Sequence, residues 1–255
     1  LAFNGGLTST NTAVDIVAGA SASFGNNGAF NGGSFQSGDD IAFLDIPGSL
    51  SFTGTAVTGM AAILCAGDFT ADAAFAPTAG GVFLVGTNPK TVNNTGVFFD
   101  LSISGSGAAT ILAAATSGSF EAALNATSTG LAAGVVVPVG GDLRLHGGTI
   151  FVADAAARFD VAGSVVSTIG TTIPGLFNAR CAGSWTTDAG FAPTSGTVVF
   201  DGAAPATISA SGNFFDVVVE GPGAKTFNNA TVSGALTTTG GAFIVAAGAT
   251  VAVAG

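Results

Sequence analysis

Few residues in this chain have the types and spacing that chemistry needs. His146 is the single histidine, so any Ser-His-Asp arrangement depends on it. It lies in Leu145-His146-Gly147-Gly148, and no Gly-x-Ser-x-Gly nucleophile turn is present. Asp39 and Asp40 are adjacent, but neighbours on a strand point to opposite faces, so adjacency does not make an acid pair. Asp39, Asp40 and Asp45 are the candidate Ca²⁺ ligands, because that ion takes clustered oxygens. Their spacing is neither EF-hand nor RTX-like, and a solvated acidic loop is the expected reading. The five bases, Lys90, Arg144, Arg158, Arg180 and Lys225, are not spaced to meet carboxylates in a groove. No catalytic residue and no cofactor is therefore expected.

Cys65 and Cys181 belong to no CxxC motif or Cys/His cluster, so a zinc site is not expected. They are read as small buried residues in equivalent slots, and between two chains as candidates for an interchain disulfide. Asn93, Asn125 and Asn229 begin Asn-x-Thr sequons and are candidate glycosylation sites.

The elements that must position these residues are announced by composition. Of 255 residues, 40 are Gly and 21 Phe, with no Tyr, one Trp and one Met. Fifteen acids oppose five bases, for a net charge of −10, and charged residues are only 8%. Nucleic-acid binding is excluded, since five scattered bases make no basic surface. Disorder is excluded by an apolar fraction of 48%. Scarcity of Glu, Lys and Met argues against helices. No apolar run is long enough for a membrane helix, and the lack of Tyr and near-lack of Trp disfavours a membrane barrel with aromatic girdles. The chain starts at Leu1 with no signal-peptide pattern, as a processed chain or a fragment would.

Internal repetition is the strongest signal. Residues 65–100 and 181–216 align without a gap at an offset of 116, with 19 identities in 36 positions. They share Asp72/Asp188, Phe75/Phe191, Gly96/Gly212 and the Phe-Phe-Asp of Asp100/Asp216. A second motif, at Val17–Phe24, Val152–Phe159 and Val245–Ala252, recurs at other offsets. Those offsets differ from 116 by about 20 residues, the size expected of one coil. Short β-branched runs such as Gly81–Val85, Thr197–Phe200 and Phe214–Val219 recur between Gly, Asn, Asp and Pro turns. The pattern predicts an all-β fold, a β-solenoid with internal repeats of about 116 residues. At roughly 23 residues per coil it would have about 11 coils and a length of about 53 Å. The alternative is tandem β-sandwich modules. Residues 1–64 are assigned to N-terminal coils, 65–180 to one repeat unit and 181–255 to a truncated second, with one continuous solenoid as the joined form. Asn93-Asn94 and Asn228-Asn229 are candidate edge ladders, and Phe is expected to fill a dry interior.

The stretch from Phe214 to Val251 resembles the right-handed parallel β-helix repeats of large microbial surface proteins, such as autotransporter passengers and filamentous-haemagglutinin-like adhesins. The likeness covers most of 65–255 loosely and 1–64 more loosely, and it is compositional. It implies an extracellular, cell-surface, structural or adhesive role, and carries over no catalytic residue. The expected function is a non-enzymatic structural subunit that joins head to tail into a homopolymeric filament, sheath or surface layer. The alternatives are an adhesin segment binding a host or carbohydrate partner and, third, a β-helix carbohydrate-active enzyme. No nucleic-acid partner and no membrane insertion is expected.

Overall fold

A computed structural model of the chain describes residues 1–123, 128–168 and 170–254. Among the described residues every strand pairing is parallel and no helix occurs. This is the β-solenoid, with about twelve turns; tandem sandwiches, which are built from antiparallel sheets, are ruled out by the parallel ladders. The strands form three long faces. The first is a fourteen-stranded sheet, the second has nine strands and the third six. From Ser34 to Val139 the third side is linked only by isolated bridges, Ser34 to Ala56, Val57 to Phe75 and Phe98 to Thr116 to Val139. It becomes a regular sheet from Val136–Val139 onward.

Strand alternation builds the interior. On the first face Leu44, Ile63, Val82, Leu101, Phe120, Leu143, Val165, Trp185, Ile208 and Phe227 occupy one register column, and all are buried. Leu50, Phe69, Val92, Ile111, Leu131 and Val152 do the same on the second face. Coils are shorter than the anticipated 23 residues. Ile63, Val82, Leu101 and Phe120 are 19 residues apart, and Phe120, Leu143 and Val165 are 23 and 22 apart. Twelve coils at about 4.8 Å each give a length of about 58 Å.

Phe fills the core as contacting rings. Phe30, Phe35, Phe52, Phe69, Phe75 and Phe98 form one array with centroid separations of 4.7–6.0 Å. A second runs from Phe120 through Phe159, Phe177, Phe191, Trp185, Phe200 and Phe214 to Phe227 and Phe243. The Asn pairs do not stack on each other as ladders. Asn93 lies between Thr70 and Ala113 in register, and Asn228 donates to the Ser209 hydroxyl at 2.9 Å.

The 116-residue repeat does not span a whole number of coils. From Met60–Cys65 the first face recurs at Ala79–Leu84, Asp100–Ile103, Phe120–Ala122, Leu143–Leu145 and Val165–Ser167 before the third-face strand Ala179–Cys181 is reached. The second copy is therefore displaced by about five and two-thirds coils, roughly 27 Å along the axis, and turned onto a different face. Met60–Cys65 is on the first face and its equivalent Ala179–Cys181 on the third; Phe69–Ala71 is on the second and its equivalent Trp185–Thr187 on the first. The repeat boundaries at 64/65 and 180/181 fall inside strands, and the ladders run through both.

The duplicated hydrogen bonds survive this rotation. Val97 N–H donates to the Phe75 carbonyl at 2.8 Å and Asn213 N–H to that of Phe191 at 2.7 Å. Gly96 and Gly212 lie so close that a Cβ there would sit 2.2 Å and 2.1 Å from those same two carbonyl oxygens, which explains the shared glycine.

Trp185 takes the slot that Phe69 fills in the first copy, and its indole N–H is buried without a partner. Trp185→Phe exchanges lost packing for the removal of an unpaired donor worth about 1–3 kcal/mol. Urea unfolding is expected to place it within about 1 kcal/mol of the parent, whereas Trp185→Ala should lose about 3–5 kcal/mol.

Candidate functional site

Seven of the fifteen acids serve as staples between coils. Asp68 Oδ1 accepts the backbone N–H of Thr91 at 2.7 Å, Asp100 Oδ1 that of Ser119 at 2.6 Å, Asp142 Oδ1 that of Ser164 at 2.9 Å and Asp216 Oδ1 that of Ala235 at 2.7 Å. Each donor belongs to the coil after the acid. Asn27, Asn178 and Asn229 do the same for Ser49, Thr197 and Thr250. At another corner the bond runs backward, from the N–H of a positive-φ glycine to an acid one coil later: Gly19 to Asp39, Gly54 to Asp72 and Gly134 to Asp154. The bond from Gly134, with others from Ala157 and Ala156, holds the Asp154 carboxyl below its ordinary pKa.

The sequence-level candidates separate accordingly. Asp39 is one of these corner acceptors, Asp45 points outward on the first face between Ser23 and Leu64, and Asp40 lines a different hollow with Asp100. No group of three potential metal ligands exists among the described residues. His146 Nδ1 bonds the Thr168 hydroxyl at 2.9 Å across one coil. Asn93 and Asn229 are exposed, though the Asn229 Oδ1 is engaged by Thr250; Asn125 lies outside the described residues.

Both cysteines are free and fully buried. The Cys65 thiol contacts the carbonyls of Gly48 and Gly67 at 3.4 and 3.5 Å, and the Cys181 thiol those of Gly163 and Gly183 at 3.6 and 3.5 Å. They occupy equivalent slots inside the wall, so joining two chains through them would require a coil to open. Two lysines are also interior: Lys225 Nζ donates to the carbonyls of Gly202 and Ala204 at 2.8 and 3.0 Å, and Lys90 Nζ to that of Gly86 at 3.4 Å. Burial pulls both ammonium pKa values down.

Two of the surface grooves gather basic residues with polar or acidic neighbours. The larger, about 440 Å³, lies on the third face and is lined by Arg158, Asn178, Arg180 and Thr197 among others. Arg158 Nε is buried there without a hydrogen-bond partner among the described residues, whereas Asn178 and Arg180 are turned to the protein. Asn178 Nδ2 reaches the carbonyls of Asp154, Ala155 and Ala157 at 3.2–3.4 Å. Arg180 pairs with Asp201 at 2.9 Å and with Glu220; burial opposes its charge, but those hydrogen bonds hold its pKa above the ordinary value.

The second groove is on the first face. It consists of a hollow of about 130 Å³ lined by Phe83, Asp100, Ser102, Glu121 and Arg144, and a neighbouring one of about 280 Å³ that adds Asp40. Gly81, Phe83 and Asp100 belong to both. Phe83, Ser102, Glu121 and Arg144 stand side by side in register on four successive strands. Residues 19 to 23 apart in sequence thus assemble a cluster of acids with an Arg, which linear spacing hid. Knowing the coil length would have exposed it.

Comparison with protein-family models, curated proteins and solved structures finds no match for this chain. Its reading rests on its own geometry.

Two outcomes follow. Asp216→Ala should cost about 1–2 kcal/mol in urea unfolding by orphaning the Ala235 N–H, Asp216→Asn much less, and Asp45→Ala almost nothing. The thiols give a pH signature. Burial pushes Cys65 from 9.0 up to about 11 and Cys181 up to about 12. A folded pKa above the unfolded one confers stability that is complete below pH 9 and is lost as pH rises through those folded values. The parent is therefore expected to lose stability between pH 9 and 11 relative to the Cys65→Ala/Cys181→Ala variant, as read by urea midpoints at both pH values.

Proposed function

We propose that the chain is a non-enzymatic structural element of an extracellular surface, growing lengthwise by coil-on-coil addition of further copies into a filament or layer. The observation that carries this reading is that a coil completes its core and its ladders only by stacking on another, as the outermost described coils show. At one end Leu236, Phe243 and Val251 are only partly covered, and Val245 and Val253 are 43% and 50% exposed. At the other, Leu1 and Phe3 are 80% and 45% exposed, and Leu7 and Val14 are half-buried. The strands Leu7–Ile16 and Phe243–Val245 are each paired along a single edge. Unpaired parallel edges beside open apolar interiors are templates for another strand. A coil from a second copy would cover both, and low charge suits surfaces that become interfaces. The extracellular placement draws on the resemblance to microbial β-helix repeats.

Val245 is the inward residue above Phe227 on the last coil. Light scattering and negative-stain electron microscopy of the purified chain are expected to show rods lengthening with concentration. Val245→Lys, which puts a charge into that open end, should remain monomeric. A parent that stays monomeric at high concentration, or a Val245→Lys variant that forms the same rods, contradicts the proposal.

A further inference from the structure

The Phe83 groove has features that coil stacking does not require. Phe83 is 43% exposed, and its ring does not stand up from the sheet. A Cβ placed on Gly81, two residues back on the same outward side, would lie 3.2 Å from the ring atoms Cε2 and Cζ. The far edge of the ring therefore lies over the bare backbone of Gly81, and the ring stays partly open to solvent. In the second copy Gly81 is replaced by Thr197 and Phe83 by Val199, so the bare glycine and the ring change together.

Several groups around the ring are uncommitted. Of the fifteen acids, only Asp15, Asp40, Asp45, Glu121 and Asp160 have no hydrogen bond or ion pair among the described residues, and Asp40 and Glu121 both line this groove. Ser102 and the Oδ2 of Asp100 are likewise free, Asp100 using only Oδ1 for Ser119. Arg144 has a single contact of 3.4 Å with Asp142. The polar row beside the ring advances in steps of about 4.8 Å.

We propose that this groove binds an uncharged glycan, one pyranose stacking its C–H face on Phe83 and the hydroxyls of that and the next sugar bonding to Asp100, Ser102, Glu121 and Arg144. A flat aromatic face accepts the weakly positive C–H groups of a sugar, and carboxylates accept its hydroxyl hydrogens with the added strength of charge. Three acids against one base, itself paired, repel a polyuronate. The Arg158 groove is larger and leaves the Arg158 Nε without a partner among the described residues, but no aromatic ring lines it and no free carboxylate does, so it lacks this combination. The site lies mid-rod, so it is independent of lengthwise assembly, and either reading can fail alone.

The test is calorimetric titration of the whole chain with neutral β-glucan, mannan and xylan hexasaccharides, with polygalacturonate as the acidic comparison. At least one neutral hexasaccharide is expected to bind more tightly than polygalacturonate. Phe83→Ala should weaken it at least about tenfold, a difference of about 1.4 kcal/mol. Gly81→Val keeps the ring but lifts it, and should weaken binding too; Phe83→Trp should retain it. Phe151 is the control: it is 41% exposed and also lies across a bare glycine, Gly130, but its register neighbours on that side carry no acid, so Phe151→Ala should bind as the parent does. Circular dichroism verifies that each variant is folded. No binding by any neutral hexasaccharide at about 10 mM, binding unchanged by Phe83→Ala, or a preference for polygalacturonate would overturn the proposal.

Discussion

Everything in this molecule depends on one constraint: a coil has no interior of its own. Each coil's three short strands bury their apolar side chains only against the coils before and after, and satisfy their backbone groups only there. Leu44, Ile63 and Val82 are core residues because they stand in one column, not because any one coil encloses them. The same constraint explains why polar corners must be tied. Where the chain leaves one face for the next the ladder is interrupted, and an Asp or Asn accepts the amide left over.

That changes the meaning of the charge. Net −10 with few charged residues suggests acids spared for solubility. In the fold Asp39, Asp68, Asp72, Asp100, Asp142, Asp154 and Asp216 stitch one coil to another, while Asp201 and Glu220 hold Arg180. Asn in the same role at Asn27, Asn178 and Asn229 shows that the acceptor oxygen matters more than the charge. Two of the few acids left over, Asp40 and Glu121, flank the groove that holds the outward ring of Phe83.

Much of the architecture was legible. The repeat, the short alternating runs and the Phe excess all led to parallel coils with an aromatic interior, and the cysteines occupy matched buried slots as their contexts implied. The expected coil of about 23 residues overestimates the 19-residue coils of the first half. The duplication had turned by two-thirds of a coil, which linear alignment does not register: Cys65 and Cys181 align perfectly yet lie on different faces. The groove was illegible for the same reason. Asp100, Glu121 and Arg144 are neighbours only once coil length is known, and the Gly81–Phe83 spacing has meaning only on an exposed strand. Asp39, Asp40 and Asp45 show the converse: close in sequence, they meet different surroundings across the turn between Gly28–Ser37 and Phe43–Ile46.

The most direct test of a single continuous stack is a distance along it. Ser51 and Thr172 are outward positions on the second face, separated by six coil steps. Spin labels there, in a background where Cys65 and Cys181 are replaced by Ala, should give one narrow distance distribution at about 32 Å, from six steps along the axis and a four-residue offset along the strand. A broad distribution, or a mean beyond about 45 Å, would mean that the ladder is broken between them.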